Sequence, residues 1–517
     1  MKNNLVVLVN PGHDDEVPEE VAVSYGARFR KIRRECPPTI TNLGGFIRDH
    51  GYEVIILDTH IEPDYKARLK ELIGEEPLVI GFSVILGKFT KNAITLTRMI
   101  KEINGNIPVV WGGKLVSLAK EIILEQTDVD FLVLGDGEFP FLNLLDSLKK
   151  NKDYRNIPGI GYKENGKTII NITSPVENLD RIYVSKDFGW DLIKQQINVR
   201  QVPYFVNLCA SRGCKFNCAF CYLQDIKQHD IKYRFRQRSA ENIIKEIDYL
   251  HNTYGVNVVT FSDDNFLCNI SEMVPVLDYL RKRNIYIEYL FTHISYLRPE
   301  TIELLAGICQ TVLYAIETVS PRLQKIINKV IYPERIIEVN KQLREVGITT
   351  EHSFMFGIPT ETDEETKANI DLLKKLKEIN PYVRVGTSIL SPIPDTPIFE
   401  FAKELVGVDI EWDMEYLKDF HWRFMGRSAS KYRPYLKPDD NLFYETVSKL
   451  TNELFLELNT NPTEEQLREI QNDKRLSYIF GDVNNINKPK DQERKYILDL
   501  VLEAMDNGLP MPKIRPF

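Results

Sequence analysis

The chain has 517 residues, 43% hydrophobic and 27% charged, enough to bury several cores and so to form more than one domain. Lys+Arg 66 against Asp+Glu 74 leaves a net charge of −8, which favours solubility and argues against a nucleic-acid partner. No apolar run approaches the roughly twenty residues of a membrane helix, and no basic, cleavable leader opens the sequence, so a cytoplasmic protein with no membrane partner is expected.

In residues 1–150, short continuous apolar runs rich in β-branched residues predict strands buried on both faces of a parallel sheet. They are Leu5 to Val9, Val54 to Leu57, Leu78 to Phe82, Pro108 to Trp111 and Phe131 to Leu134. Amphipathic stretches between them, such as Asn92 to Ile100 and Ser117 to Leu124, predict crossover helices. The result is a five-stranded doubly wound, Rossmann-like α/β domain. Ligands of such sheets bind beyond the carboxyl ends of the strands, where Gly81, Ser83, Gly112, Gly113 and the run Gly135-Asp136-Gly137-Glu138 fall. Glycine there lets the backbone approach a flat ligand, although a glycine pair after a strand, taken alone, is more often a tight turn.

Taken in order, Gly-Phe-Ser-Val at 81–84, Val-Trp-Gly-Gly at 110–113 and Leu-Gly-Asp-Gly-Glu at 134–138 resemble the N-terminal cobalamin-binding domain that precedes many radical S-adenosylmethionine (SAM) domains. The resemblance implies a corrin lying over the sheet end, with Ser83, Val84, Ile85, Leu86, Gly112, Gly113, Gly135, Gly137 and Glu138 as its contacts. One motif departs from the family. Members that ligate cobalt through histidine carry D-x-H-x-x-G after the first strand, whereas this chain has Pro11-Gly12-His13-Asp14-Asp15-Glu16. His13 is therefore read as a loop residue, and the lower corrin face is expected to meet the apolar loop at 83–87 without an imidazole.

Residues 151–200 read as a connector, with a hairpin at Ile160 to Ile170 turned by Asn165-Gly166 and an irregular bridge from Pro175 to Asp187. From 201 to 395 the strand and helix alternation resumes. After the extended run Tyr204 to Leu208, strands are expected at Val256 to Phe261, Ile285 to Phe291, Thr311 to Ile316, Glu351 to Phe356 and Val383 to Leu390. Six such units make a partial (β/α)6 barrel, whose chemistry belongs at the carboxyl ends of its strands. The residues found there are Cys214, Cys218 and Cys221, then Asp263-Asp264-Asn265, His293, Glu317, Gly357-Ile358-Pro359 and Ser391. The alternating aromatic and basic stretch Lys232 to Arg238 is read as a solvated lead-in to the next helix.

Cys214-Lys215-Phe216-Asn217-Cys218-Ala219-Phe220-Cys221 is a C-x-x-x-C-x-x-C loop. Three thiolates on one loop can hold three irons of a [4Fe–4S] cluster and leave the fourth open, whereas electron-transfer clusters normally have four protein thiolates. Structural zinc wants four ligands in paired units, and a disulfide framework does not suit seven cysteines without a leader. Cys36, Cys209, Cys268 and Cys309 are read as ordinary thiols.

This loop, with Phe220 and Tyr222 flanking its last cysteine, resembles the signature loop of radical SAM enzymes, in which SAM chelates the open iron. The resemblance extends position by position. Asp263 and Asp264 match the second-strand motif that receives the SAM amino group, Glu317 the fourth-strand acid near the ribose, Gly357-Ile358-Pro359 and Ser391 the fifth- and sixth-strand turns, and Phe220 the residue that touches adenine. By residue type alone, Asp263 and Asp264 also suit a turn or helix cap, and His293 suits a satisfied polar position as well as a substrate contact.

Beyond residue 395 a mostly helical region, 396–517, is expected to cover the barrel mouth and contribute to substrate selection, with the aromatic stretch Trp412 to Phe424 as its candidate lining. The family implies a [4Fe–4S] cluster, SAM and cobalamin as cofactors, a flavodoxin or ferredoxin as electron donor, and methylation of an unactivated carbon of a small molecule or peptide. The alternatives are a non-methylating radical outcome, such as cyclisation, ring contraction, epimerisation or dehydration, and a non-catalytic cobalamin or redox sensor.

Overall fold

The computed structural model describes residues 4–12, 38–59, 62, 64–85, 88–172, 175–194, 205–223, 234–380, 383–390, 392–393, 396–406, 414 and 418. His13, Leu86, Gly87, Ser391, the stretch 419–424 and the helices expected beyond 440 lie outside them.

The five apolar runs become parallel strands: β1 (Leu5–Asn10), β2 (Glu53–Asp58), β3 (Val79–Ser83), β4 (Val109–Gly112) and β5 (Phe131–Val133). Every residue of β1 is buried, as a strand covered by helices on both faces requires. Their spatial order, β2-β1-β3-β4-β5, is a doubly wound one whose ligand crevice opens where the connections from β1 and β3 diverge. The sheet then runs further than expected. The hairpin strands β6 (Ile160–Glu164) and β7 (Lys167–Ile170) pair antiparallel, and β6 pairs antiparallel with β5, giving a seven-stranded sheet. Ile160 and Tyr162 are buried in the core, which explains why the hairpin docks on the sheet edge instead of spanning free.

The second sheet contains β8 (Phe205–Leu208), β11 (Val258–Phe261), β12 (Tyr286–Phe291), β13 (Cys309–Glu317), β14 (Thr349–Phe356) and β15 (Arg384–Ile389), all parallel and paired in chain order. Pairing in chain order means that each crossover advances by one strand, which is the winding of a barrel. Between β8 and β11 lies a two-stranded ribbon, β9 (Ser211–Gly213) against β10 (Phe235–Gln237). β10 corrects the reading of the basic stretch as solvated, because Arg236 and Arg238 are 4% and 1% exposed. Their charges are satisfied internally, Arg236 by Asp136 and Arg238 by Glu246 at 2.5 Å, as a buried guanidinium requires.

One hydrophobic cluster runs through both sheets, joining Val6 and Val110 to Val206, Val259 and Val312 by way of Leu179, Ile182, Phe188 and Trp190 from the connector. A continuous apolar core ties the relative position of the two sheets to the stability of the chain. Among the described residues no helix is long and apolar enough to cross a membrane.

Candidate active site

The cysteine loop begins at Gly213, whose φ of +86° closes β9. A side chain there would strike the carbonyl of Arg234 on the facing ribbon, so only glycine fits. The loop is then fastened by three hydrogen bonds to residues distant in the chain. Ala219 N donates to Ile327 O at 2.8 Å, Asn328 Nδ2 donates to Asn217 O at 2.7 Å, and Ile398 N donates to Ala219 O at 3.2 Å. Within it, Cys221 N donates to Cys218 O at 3.2 Å, closing a tight turn between the last two cysteines.

Cys214, Cys218 and Cys221 are each partly exposed, and no disulfide joins the described cysteines. No described group of three or more His, Cys, Asp or Glu converges on a single ion. Three thiols fixed on one anchored, partly open loop fit a cube in which each binds its own iron. Cys268 and Cys309 are buried and Cys209 is partly buried, as ordinary thiols are, while Cys36 lies outside the described residues.

The acids after β11 divide their work. Asp263 is buried and accepts from Ala210 N at 3.2 Å and from Ser211 Oγ, so it holds the start of β9. Burial pushes its carboxyl up to about 6 despite those bonds. Asp264 accepts from Gly213 N at 3.2 Å, from the Tyr222 hydroxyl, and from Lys114 Nζ at 3.2 Å. Burial opposes its charge, but Lys114 and Tyr222 outweigh burial and keep it below the ordinary carboxylate range. Burial works against the Lys114 ammonium, but Asp264 and Tyr222 prevail and hold it above its usual pKa.

At the end of β13, a register shift and a φ of +68° redirect Glu317. Its carboxylate meets Lys329 Nζ at 3.0 Å, with both side chains buried. Lys329 has no sequence signature as a site residue. His293, after β12, stacks on Phe216 of the cysteine loop with centroids 3.8 Å apart. Ser295 N donates to its Nδ1 at 3.2 Å, so the neutral ring carries its proton on Nε2. Burial, with Lys329 nearby, lowers its pKa to about 3.

After β14, the N–H groups of Gly357 and Ile358 donate to Glu361 Oε2 at 2.6 and 3.2 Å, shaping the turn that also contains Pro359. Phe220 packs with Ile358, Met355 and Leu390 in a small cluster, so two expected SAM neighbours from distant parts of the sequence share one wall.

At the first sheet, Ser83, Gly112 and Gly113 sit at the expected strand ends. Val84 is buried, whereas Ile85 is 42% exposed, an apolar side chain open beside the switch point, as a corrin face would need. A Cβ on Gly113 would lie 2.6 Å from Val84 O, so this glycine lets the β3 and β4 ends meet. Gly135, at φ +66°, and Gly137 flank Asp136. Glu138 is committed to an ion pair, receiving Arg212 Nη2 at 2.6 Å, and Asn42 Nδ2 lies 3.4 Å away. Arg212 also donates to Asp136 at 2.8 Å. Burial raises the Asp136 pKa, but Arg212 and Arg236 prevail and hold it low. The sequence reading missed Lys114, Lys329, Arg212 and Arg236, all cations whose partners lie on other elements.

Comparisons with known proteins agree with this layout. Residues 35–145 match the B12 binding domain and residues 208–405 the radical SAM superfamily. An uncharacterized methyltransferase of Pyrococcus horikoshii is 30% identical over 409 residues, 78% of this chain and 84% of that protein. An anaerobic magnesium-protoporphyrin IX monomethyl ester cyclase of Rubrivivax gelatinosus is 26% identical, covering 74% of this chain and 70% of that protein. The radical SAM methyltransferase TsrM of Kitasatospora setae, solved with cobalamin and a [4Fe–4S] cluster, shares the fold at a TM-score of 0.68 and 19% identity, over 98% of this chain and all of that one.

Proposed function

Because the chain belongs to the cobalamin-binding radical SAM family, we propose that it is a methyltransferase acting on an unactivated carbon of a small molecule or peptide. It is a cobalamin-dependent radical SAM enzyme that works with a [4Fe–4S] cluster, SAM and cobalamin. The observation that carries the methylation reading is the direct join between the two sheets. Lys114, at the end of β4, bonds Asp264 and Tyr222 beside the cysteine loop, which brings the strand ends expected under a corrin up to the expected SAM site.

In this reading Cys214, Cys218 and Cys221 hold the cluster, and SAM lies between the cysteine loop and the β11, β13 and β14 ends. Phe220 and Ile358 flank the adenine. Asp263 and Asp264 set the loop that faces the methionyl amine, and Glu317, braced by Lys329, faces the ribose. Ser83, Val84, Ile85, Gly112, Gly113, Gly135 and Gly137 line the corrin side, and Glu138 acts there through Arg212. When bound, the cofactors supply reductive SAM cleavage and the transferable methyl group. The protein's own share is to orient them and exclude water. The electron comes from a flavodoxin- or ferredoxin-class donor.

A second reading, radical cyclisation without methyl transfer, is favoured by the likeness to cyclases. SAM labelled in its methyl group separates the two with candidate substrates drawn from neighbouring genes. Label on a product carbon supports methylation, and an unlabelled cyclised product overturns it.

A further inference from the structure

Asn265 is 1% exposed and belongs to none of the contacts expected of the second-strand motif. Its Oδ1 lies 2.9 Å from Thr292 Oγ1 and 3.2 Å from His293 N. A backbone N–H can only donate, so the amide atom facing it is the oxygen, and the NH2 group must point the other way. There it meets Cys214 Sγ at 3.7 Å. The orientation of the carboxamide is thus dictated by its neighbours, and it directs a donor at one of the three loop sulfurs. Phe216 of the same loop stacks on His293, and Tyr296 meets Phe216 edge-on.

A donor aimed at a cluster thiolate stabilises the extra negative charge of the reduced state and so raises the reduction potential. We propose that Asn265 is a positioning residue of the cluster, holding Cys214 through an N–H···S hydrogen bond and setting how readily the cluster accepts its electron. The inference rests on Cys214, Cys218 and Cys221 being the cluster ligands. It concerns one electron entering the oxidised cluster from the donor, with no bond made or broken in the protein.

The test uses the full chain, purified without oxygen and loaded with iron and sulfide. Asn265→Asp, titrated at a pH where its carboxylate is ionised, keeps an oxygen for Thr292 and His293 and puts a negative charge in place of the donor. Asn265→Leu removes both functions at similar size. Thr292→Val trims one bond to Oδ1 and leaves the N–H···S contact. Iron is counted, and the midpoint potential is read by redox titration of the reduced-cluster electron paramagnetic resonance signal. Both Asn265 variants should load iron and, at the wild-type midpoint, show a reduced-to-oxidised ratio about tenfold lower, which is about 59 mV for one electron. Thr292→Val should titrate as the wild type does. Fully loaded Asn265 variants with the wild-type potential would overturn the inference, as would an equal shift in Thr292→Val. A wild-type chain that takes up no iron would instead overturn the ligand assignment beneath it.

Discussion

The Lys114 ammonium lies 2.5 Å from the Tyr222 hydroxyl and 3.2 Å from Asp264 Oδ1, so one side chain from the first sheet fastens the segment that carries the three cysteines. The cysteine loop keeps its other anchors, at Gly213 N, Asn217 O and Ala219, when this bond is cut, whereas in the proposed methyl transfer the corrin side and the SAM side are held in register through Lys114. Lys114→Met should therefore leave 5′-deoxyadenosine formation within about threefold but reduce methyl transfer by about 10²-fold, the cost expected of an ångström-scale misplacement. Quantifying 5′-deoxyadenosine and labelled product in one reaction checks it. Equal loss of both would show that the bond serves the barrel alone.

Glu317 and Lys329 form a buried pair at 3.0 Å. Removing one partner strands the other charge, so Glu317→Gln or Lys329→Met should each destabilise the chain by about 3–5 kcal/mol. The double variant should recover much of that loss, because no unpaired charge then remains buried. Urea unfolding of all four proteins measures the coupling.

Thr360, a β-branched residue, sits at φ +73°, a left-handed conformation disfavoured by roughly 1–2 kcal/mol. Arg322 Nη1 donates to its hydroxyl at 2.7 Å, but that partner is exposed, and Arg322 Nη2 also holds the carbonyl at 2.6 Å. Thr360→Gly should therefore raise the urea midpoint, with a net gain of about 0.5–1 kcal/mol. A lowered midpoint would mean that the hydroxyl contact outweighs the backbone strain.

Burial pushes the Glu361 carboxyl up to about 7 from 4.5, even though Thr366 and the N–H groups of Ile358 and Gly357 donate to it. Since the folded state keeps the proton longer than the unfolded chain does, stability from this group is full below pH 4.5, falls as pH rises toward 7, and is level above. Glu361→Gln should remove that fall. Melting temperatures compared across this window test it, and parallel profiles for the two proteins would contradict it.

The two sheets could be read from sequence because strands buried on both faces leave unbroken apolar runs, as Leu5 to Val9 does. The cysteine loop and the acids at strand ends were legible because a short loop after a strand fixes where its side chains can go. Lys329 was not, since nothing local distinguishes an amine that meets Glu317 across two elements. Arg236 and Arg238 misled for a related reason: cations alternating with aromatics look the same on a solvated strand and on a ribbon whose arginines are paired to Asp136 and Glu246. The docking of the hairpin on β5 depended on the burial of Ile160 and Tyr162 against residues far away in the chain.

The most direct test is SAM cleavage by the anaerobically loaded, reduced protein, set against Cys214→Ala, Cys218→Ala and Cys221→Ala. The wild type should hold about four irons per cluster and release 5′-deoxyadenosine, and each variant should lose that product. Cleavage that survives loss of a loop cysteine, or a wild type that binds cluster and SAM without releasing 5′-deoxyadenosine, would contradict the account.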